Sequence, residues 1–138
     1  MGVLKAFLNP LPLDETKDIV ISQRFVDDNG DPVPFTIKSV SQEVNTALVN
    51  KYTRPKMVNG RKVDIFDQNA YTRALVVACT VQPDFREAEM CQAYGCVDPM
   101  SVPEKMLRPG EFTNLVKEIM ELCGFDDDAQ LLSEEAKN

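Results

Sequence analysis

Residues 67–81, DQNAYTRALVVACTV, constrain this chain more than any other stretch. Asp67 is suited to cap a helix, and Phe66 and Tyr71 occupy the two positions of a hydrophobic staple. Tyr71, Ala74, Leu75 and Ala78 recur at the helical period, while Val76, Val77 and Cys79 place apolar side chains on the other faces. A helix that is apolar almost all round has to be buried, so the other elements must be arranged around it. Pro83 is expected to stop it, because a proline has no N–H and clashes with the preceding turn.

Upstream, Ile19, Ile21, Gln23 and Phe25 alternate, Asp27 to Asp31 form a turn around Asn29-Gly30, and the alternation resumes at Val33, Phe35 and Ile37. Two period-2 runs about an Asn-Gly turn predict a β-hairpin. Pro32 and Pro34 cannot donate to a ladder, which places the second strand at an edge or pairs it through the other side. Residues 1–17, with Asn9-Pro10-Leu11-Pro12-Leu13, read as an irregular N-terminal arm. Ser39 to Lys51 reads as a helix, capped by a Ser39/Gln42 box or by Ser41, with Val40, Val44, Ala47 and Leu48 on its apolar stripe. Residues 52–64, carrying Arg54, Lys56, Arg61 and Lys62 around Asn59-Gly60, read as a basic, turn-rich connection, a solvated loop before a contact for an acidic partner surface.

Downstream, Asp84 and Glu87 suggest a capping box for a short helix to Ala93, with Gly95 as its terminator, and Ser101 and Glu104 a second one ending near Leu107. Pro109 fits the first turn of a last helix with Phe112, Leu115, Val116, Ile119 and Leu122 on one stripe. Gly124 closes it and Phe125 supplies the apolar contact beyond. Residues 126–138 hold five acids and one lysine. They are expected to form a mobile acidic C-terminal tail with only Leu131-Leu132 to anchor it. The expectation is an α+β fold: one mainly helical domain over residues 18–125, with an N-terminal β-hairpin packed on four to five helices. A length of 138 residues suits one core and not two.

Chemistry is limited by what the chain lacks. It has no histidine, so no Ser-His or Cys-His pair can form and the commonest general base is missing. Its six glycines are isolated and build no phosphate-cradling loop. Cys79, Cys91, Cys96 and Cys123 contain no CxxC pair and read as reduced, buried thiols rather than zinc ligands. The acids fall at caps, turns and the tail. Met90, Met100, Met106 and Met120 read as core fillers. A net charge of −7 opposes nucleic acid and anionic membranes as partners. No apolar run approaches a membrane span and no signal peptide is visible, so a cytoplasmic protein is expected. No catalytic, cofactor-binding or metal-binding residue is assigned.

Three ordered blocks carry a family resemblance: Ala74 to Phe85 (ALVVACTVQPDF), Gln92 to Val97 (QAYGCV), and Lys105 to Phe112 (KMLRPGEF). With Ile21 to Phe25, Pro34 to Ile37 and Leu122 to Phe125, they resemble the XkdN-like tail assembly chaperones of Gram-positive phages and prophages. Cys91 and Cys96 stand where that pattern has leucine and an aliphatic residue, and neither change is catalytic. The resemblance implies a non-enzymatic chaperone without cofactors that acts in the bacterial host cytoplasm. It also implies binding to the tape measure protein, a long apolar helical chain, help to the tail tube protein assembling around it, multiple copies, and absence from the finished virion. A structural tail or connector protein is the alternative, though tube subunits need far more β-sheet than the single hairpin read here.

Overall fold

Asp67 does cap the central helix. Its Oδ1 accepts from the Ala70 N–H at 3.1 Å, and the Phe66 and Tyr71 rings close the staple at 5.4 Å. The computed structural model describes residues 2–12 and 16–125. Among them the order is α1 (Val3–Leu8), β1 (Thr16–Ile19), β2 (Phe35–Lys38), α2 (Gln42–Lys51), β3 (Thr53–Val58), β4 (Arg61–Phe66), α3 (Gln68–Cys79), β5 (Thr80–Gln82), α4 (Ala88–Ala93), α5 (Val102–Met106) and α6 (Pro109–Leu122). A 3-10 turn at Pro99–Ser101 leads into α5. The fold is α+β and mainly helical, as expected.

Helix α3 is the hub. Tyr71, Ala74, Leu75, Val76, Val77 and Cys79 are all buried. The sheet β1-β2-β5 and helices α2, α5 and α6 pack around it. The chain leaves α3 directly into β5, so the helix ends at Cys79 before Pro83 can act, and Thr80 joins a strand. Thr80 is buried but satisfied, its hydroxyl donating to the Val76 carbonyl at 2.7 Å. In α6, Leu115 and Ile119 have no exposed surface, and Lys17 reaches from β1 to Glu118 at 2.8 Å. Gly95 and Gly124 end α4 and α6 in the left-handed region, with φ of 65° and 89°. In each case the following N–H returns to a carbonyl of the last turn, Cys96 to Cys91 at 2.8 Å and Phe125 to Met120 at 2.9 Å.

Several expectations need correction. The arm 1–17 is not irregular throughout: Val3–Leu8 is helical, because Pro10 and Pro12 restrict only their own neighbourhood, and Thr16 and Lys17 already belong to β1. The predicted N-terminal hairpin exists, with Ile19 facing Phe35, but its strands are short and residues 20–34 form a long connection held by a Val26–Pro32 bridge. In its turn only Gly30 takes positive φ; the Asp27 carboxylate organises the rest, accepting from the Asn29 and Asp31 N–H groups at 2.9 and 3.0 Å. Of the two alternatives for the second strand the edge is the one that fails: β2 starts after Pro34 and pairs with both β1 and β5.

Ser41, not the Ser39/Gln42 box, caps α2, accepting from the Val44 N–H at 3.2 Å. The inward face of that helix is Asn45, Leu48 and Val49, while Val44 and Ala47 are exposed. Residues 52–64 are no loop but most of the β3–β4 hairpin, turning at Asn59 and Gly60 with φ of 51° and 78°. Asp84 does not cap α4: its carboxylate binds the Arg86 backbone and guanidinium, and the helix begins at Ala88. Ser101 does not cap α5 either, because Asp98, accepting from Met100 N–H at 3.0 Å, starts that helical run a turn earlier. Of the four thiols only Cys79 is fully buried; the other three are half-buried. The acidic tail 126–138 lies outside the described residues.

Candidate protein-binding surface

The segment Gln82 to Phe85 drives Phe85, fully buried, into the core and leaves Pro83 at the surface. Pro83 joins Phe25 and Pro34 from the N-terminal connection, Phe35 from β2, Met90 from α4, Tyr94 at the end of that helix, and Met106 from α5, around an open groove of about 250 Å³. The Gln82 side chain donates to the Pro34 carbonyl at 3.2 Å and pins the two proline segments together. The lining is otherwise apolar, aromatic or thioether. That volume is below the usual range for drug-sized ligands, so the groove suits one or two side chains of a protein partner. Methionine and tyrosine at its rim adapt to varied apolar shapes. Met90 is thus a groove residue, whereas Met106 is 7% exposed and fills the core beneath, as expected.

One wall of the groove is held by a charged knot. The Arg24 guanidinium lies 2.6 Å from Glu111 Oε1 and 3.0 Å from the Met106 carbonyl, and 4.9 Å above the Phe25 ring. Glu111 also accepts from the Arg108 backbone N–H at 2.8 Å, closing the first turn of α6. The Arg24 guanidinium first, then the Ser22 hydroxyl and the Arg108 N–H, hold the Glu111 carboxyl down to about 2. Phe25 and Phe35 stack at 6.2 Å. The blocks QPDF, QAYGC and KMLRPGEF, and the RF and PF dipeptides, therefore converge on this groove or on the knot supporting it. Sequence reasoning placed Tyr94-Gly95 and the Leu107 to Gly110 segment only at helix ends, and their shared surface was not visible from spacing.

Two further surfaces are exposed. Helix α1 presents Val3, Leu4, Phe7 and Leu8, and the β3–β4 hairpin presents Met57, Val58, Val63 and Ile65. Elsewhere the thiol of Cys79 is buried beside Cys123. It donates to the Cys123 sulfur, which with the Val40 N–H pulls the Cys123 pKa down. Among the described residues no three acids or cysteines are grouped to hold a metal ion, and no helix is long and apolar enough to cross a membrane.

The domain thus carries an open apolar groove with room for one or two side chains. Comparison with known proteins gives the family. Residues 4–137 match the phage XkdN-like tail assembly chaperone proteins, and the chain belongs to that family. It is 36% identical over 122 residues to the phage-like element PBSX protein XkdN of Bacillus subtilis (strain 168), covering 87% of this chain and 82% of that one. It is 37% identical over 126 residues to the uncharacterized protein YqbN of the same strain, covering 90% and 85%. The crystal structure of YqbN superposes with a TM-score of 0.71 and 27% identity, over 88% of this chain and 96% of that one.

Proposed function

We propose that this tail assembly chaperone binds the tape measure protein of its phage or prophage through the Phe25/Pro83/Tyr94 groove and keeps it competent while the tail tube protein assembles around it. The observation that carries the reading is the convergence of the resembling blocks on one open apolar groove. A long, apolar, helical client offers side chains at helical spacing, and a groove of this size takes one or two of them per contact. No covalent chemistry is needed, and no residue is assigned a catalytic, cofactor or metal role. The working body is residues 16–125, which include all of β1. The chain acts in the host cytoplasm in several copies, for which the exposed apolar face of α1 offers a self-association surface, and it leaves before the virion is finished.

Co-purification with a tape measure fragment tests this. The double variant M90E/Y94E changes two half-buried rim residues, so its melting temperature should stay near wild type while client capture falls at least about tenfold, the effect of about 1.4 kcal/mol. Undiminished capture by a normally folded double variant would refute the groove as the client site. Mass spectrometry of purified particles should find no copy of the chain.

A further inference from the structure

The Asp67 N–H donates to the Tyr52 carbonyl at 2.8 Å, one step beyond the first rung of the β3–β4 hairpin, Thr53–Phe66. Bonded and unbonded pairs alternate along an antiparallel ladder. Counted from Tyr52–Asp67, the pairs Arg54–Ile65, Lys56–Val63 and Val58–Arg61 are bonded, and the backbones of Thr53, Pro55, Met57, Lys62, Asp64 and Phe66 face outward. The two outer edges therefore differ. On β3, Pro55 has no N–H to offer, which blunts that edge. On β4, Lys62 and Asp64 each offer an N–H and a carbonyl, and among the described residues the only strand paired with β4 is β3. Residues 61–65 are exposed, with Val63 and Ile65 leaving 41% and 43% of their surface in solvent. A two-stranded ribbon so exposed is marginal by itself.

We propose that the outer edge of β4 pairs with the β4 of a second copy of this chain, the two strands antiparallel about a two-fold axis, with Lys62 opposite the second copy's Asp64. The charges select both the occupant and the register. Outward groups must face outward groups, so the two strands can slide past each other only in two-residue steps. A step one way sets Lys62 on Lys62, a step the other way sets Asp64 on Asp64, and like charges directly opposite are unfavourable. The register between them sets Lys62 on Asp64 twice, once on each side of the axis, as an isologous contact requires. The same register brings the two Val63 side chains together on the axis and Arg61 opposite Ile65. The two Lys62–Asp64 pairs exchange main-chain hydrogen bonds in both directions, and two marginal ribbons become one four-stranded sheet. One strand edge is a small contact, below the about 1,200 Å² at which stable interfaces begin, so the dimer is a reversible one. The pairing is independent of the apolar groove and does not rest on it.

Sedimentation equilibrium of the full chain, up to about 1 mM protein, tests this. The background L4S/F7S removes the apolar α1 face as a second source of association, so the strand edge is read alone. In that background K62E and D64K should each raise the dimer Kd at least about tenfold, because every reversal acts twice across the axis. The swap K62E/D64K restores opposite charges and should return the Kd to within about threefold of the unswapped background. K62E makes a chain of net charge −7 more acidic and D64K less so, so general repulsion between copies would move the two Kd values in opposite directions. Hydrogen exchange on the unsubstituted chain is a second reading: the Lys62 and Asp64 amides, which point away from β3, should slow as concentration rises. No dimer at about 1 mM, a dimer indifferent to both reversals, or a swap that fails to rescue would each overturn the proposal. So would exchange at Lys62 and Asp64 that ignores concentration.

Discussion

Ile119 has no exposed surface and lies where α6 packs on α3 and β2. Replacing it with alanine removes three carbons at about 0.8 kcal/mol each, about 2.4 kcal/mol of transfer free energy. Two rigid elements flank the site and hinder its collapse, so a cavity contribution raises the loss to about 4 kcal/mol, within the range of buried isoleucine-to-alanine changes. For a chain of this length the entropy of unfolding converts each kcal/mol into roughly 3.5 °C, so Ile119→Ala should melt about 14 °C early. Ile119→Val, which deletes a single methyl, should lose only about 1 kcal/mol. Urea denaturation followed by far-UV circular dichroism measures both, with an unchanged slope against denaturant showing that only stability moved. A loss under about 1 kcal/mol for the alanine variant would show that α6 is not clamped as described.

Glu111→Gln should destabilise the protein at pH 7. The folded carboxyl titrates near 2 against an ordinary 4.5, so its contribution is full above 4.5, fades as pH falls towards 2, and the gap between wild type and variant should close over that window in pH-dependent melts. Asp67→Ala removes the α3 cap and should cost about 1 kcal/mol by urea denaturation, whereas Asp67→Ser should restore most of it. Cys123, half-buried and holding a lowered pKa through hydrogen bonds from Cys79 and Val40, should be alkylated by iodoacetamide at neutral pH well before the enclosed Cys79. Peptide mapping of a timed reaction reads the order.

Helix α3 was legible because its signals are local: Asp67, Phe66, Tyr71 and the apolar run lie within a few turns of one another. The β3–β4 hairpin was hidden, although Asn59-Gly60 announced its turn, because Arg54, Lys56 and Lys62 leave neither solvated face with a hydrophobic period to read. Asp84 and Ser101 had the spacing of capping boxes, but Arg86 captured the first and the Asp98 turn pre-empted the second. Both are contests between nearby partners that spacing cannot decide. The groove was out of reach for a different reason. Phe25, Pro83, Tyr94 and Met106 meet only after β5 returns to β2 and α4 folds back, and no local pattern encodes that meeting.

The placement of β2 between β1 and β5 also orders events in time. Its partner on one side, Thr16–Ile19, is made before it, but the partner on the other side is Thr80–Gln82, and the helix covering α3 is made later still. At translation rates of about 5–20 residues per second, the three dozen residues between Cys79 and Leu115 keep the nascent α3 face uncovered for roughly 2–7 s. The β3–β4 hairpin, whose pairing is wholly local, forms on a microsecond scale as soon as it emerges. Until α6 has emerged and folded back, the nascent chain therefore carries an apolar α3 face without its last cover, and a holdase chaperone would meet the chain in that state.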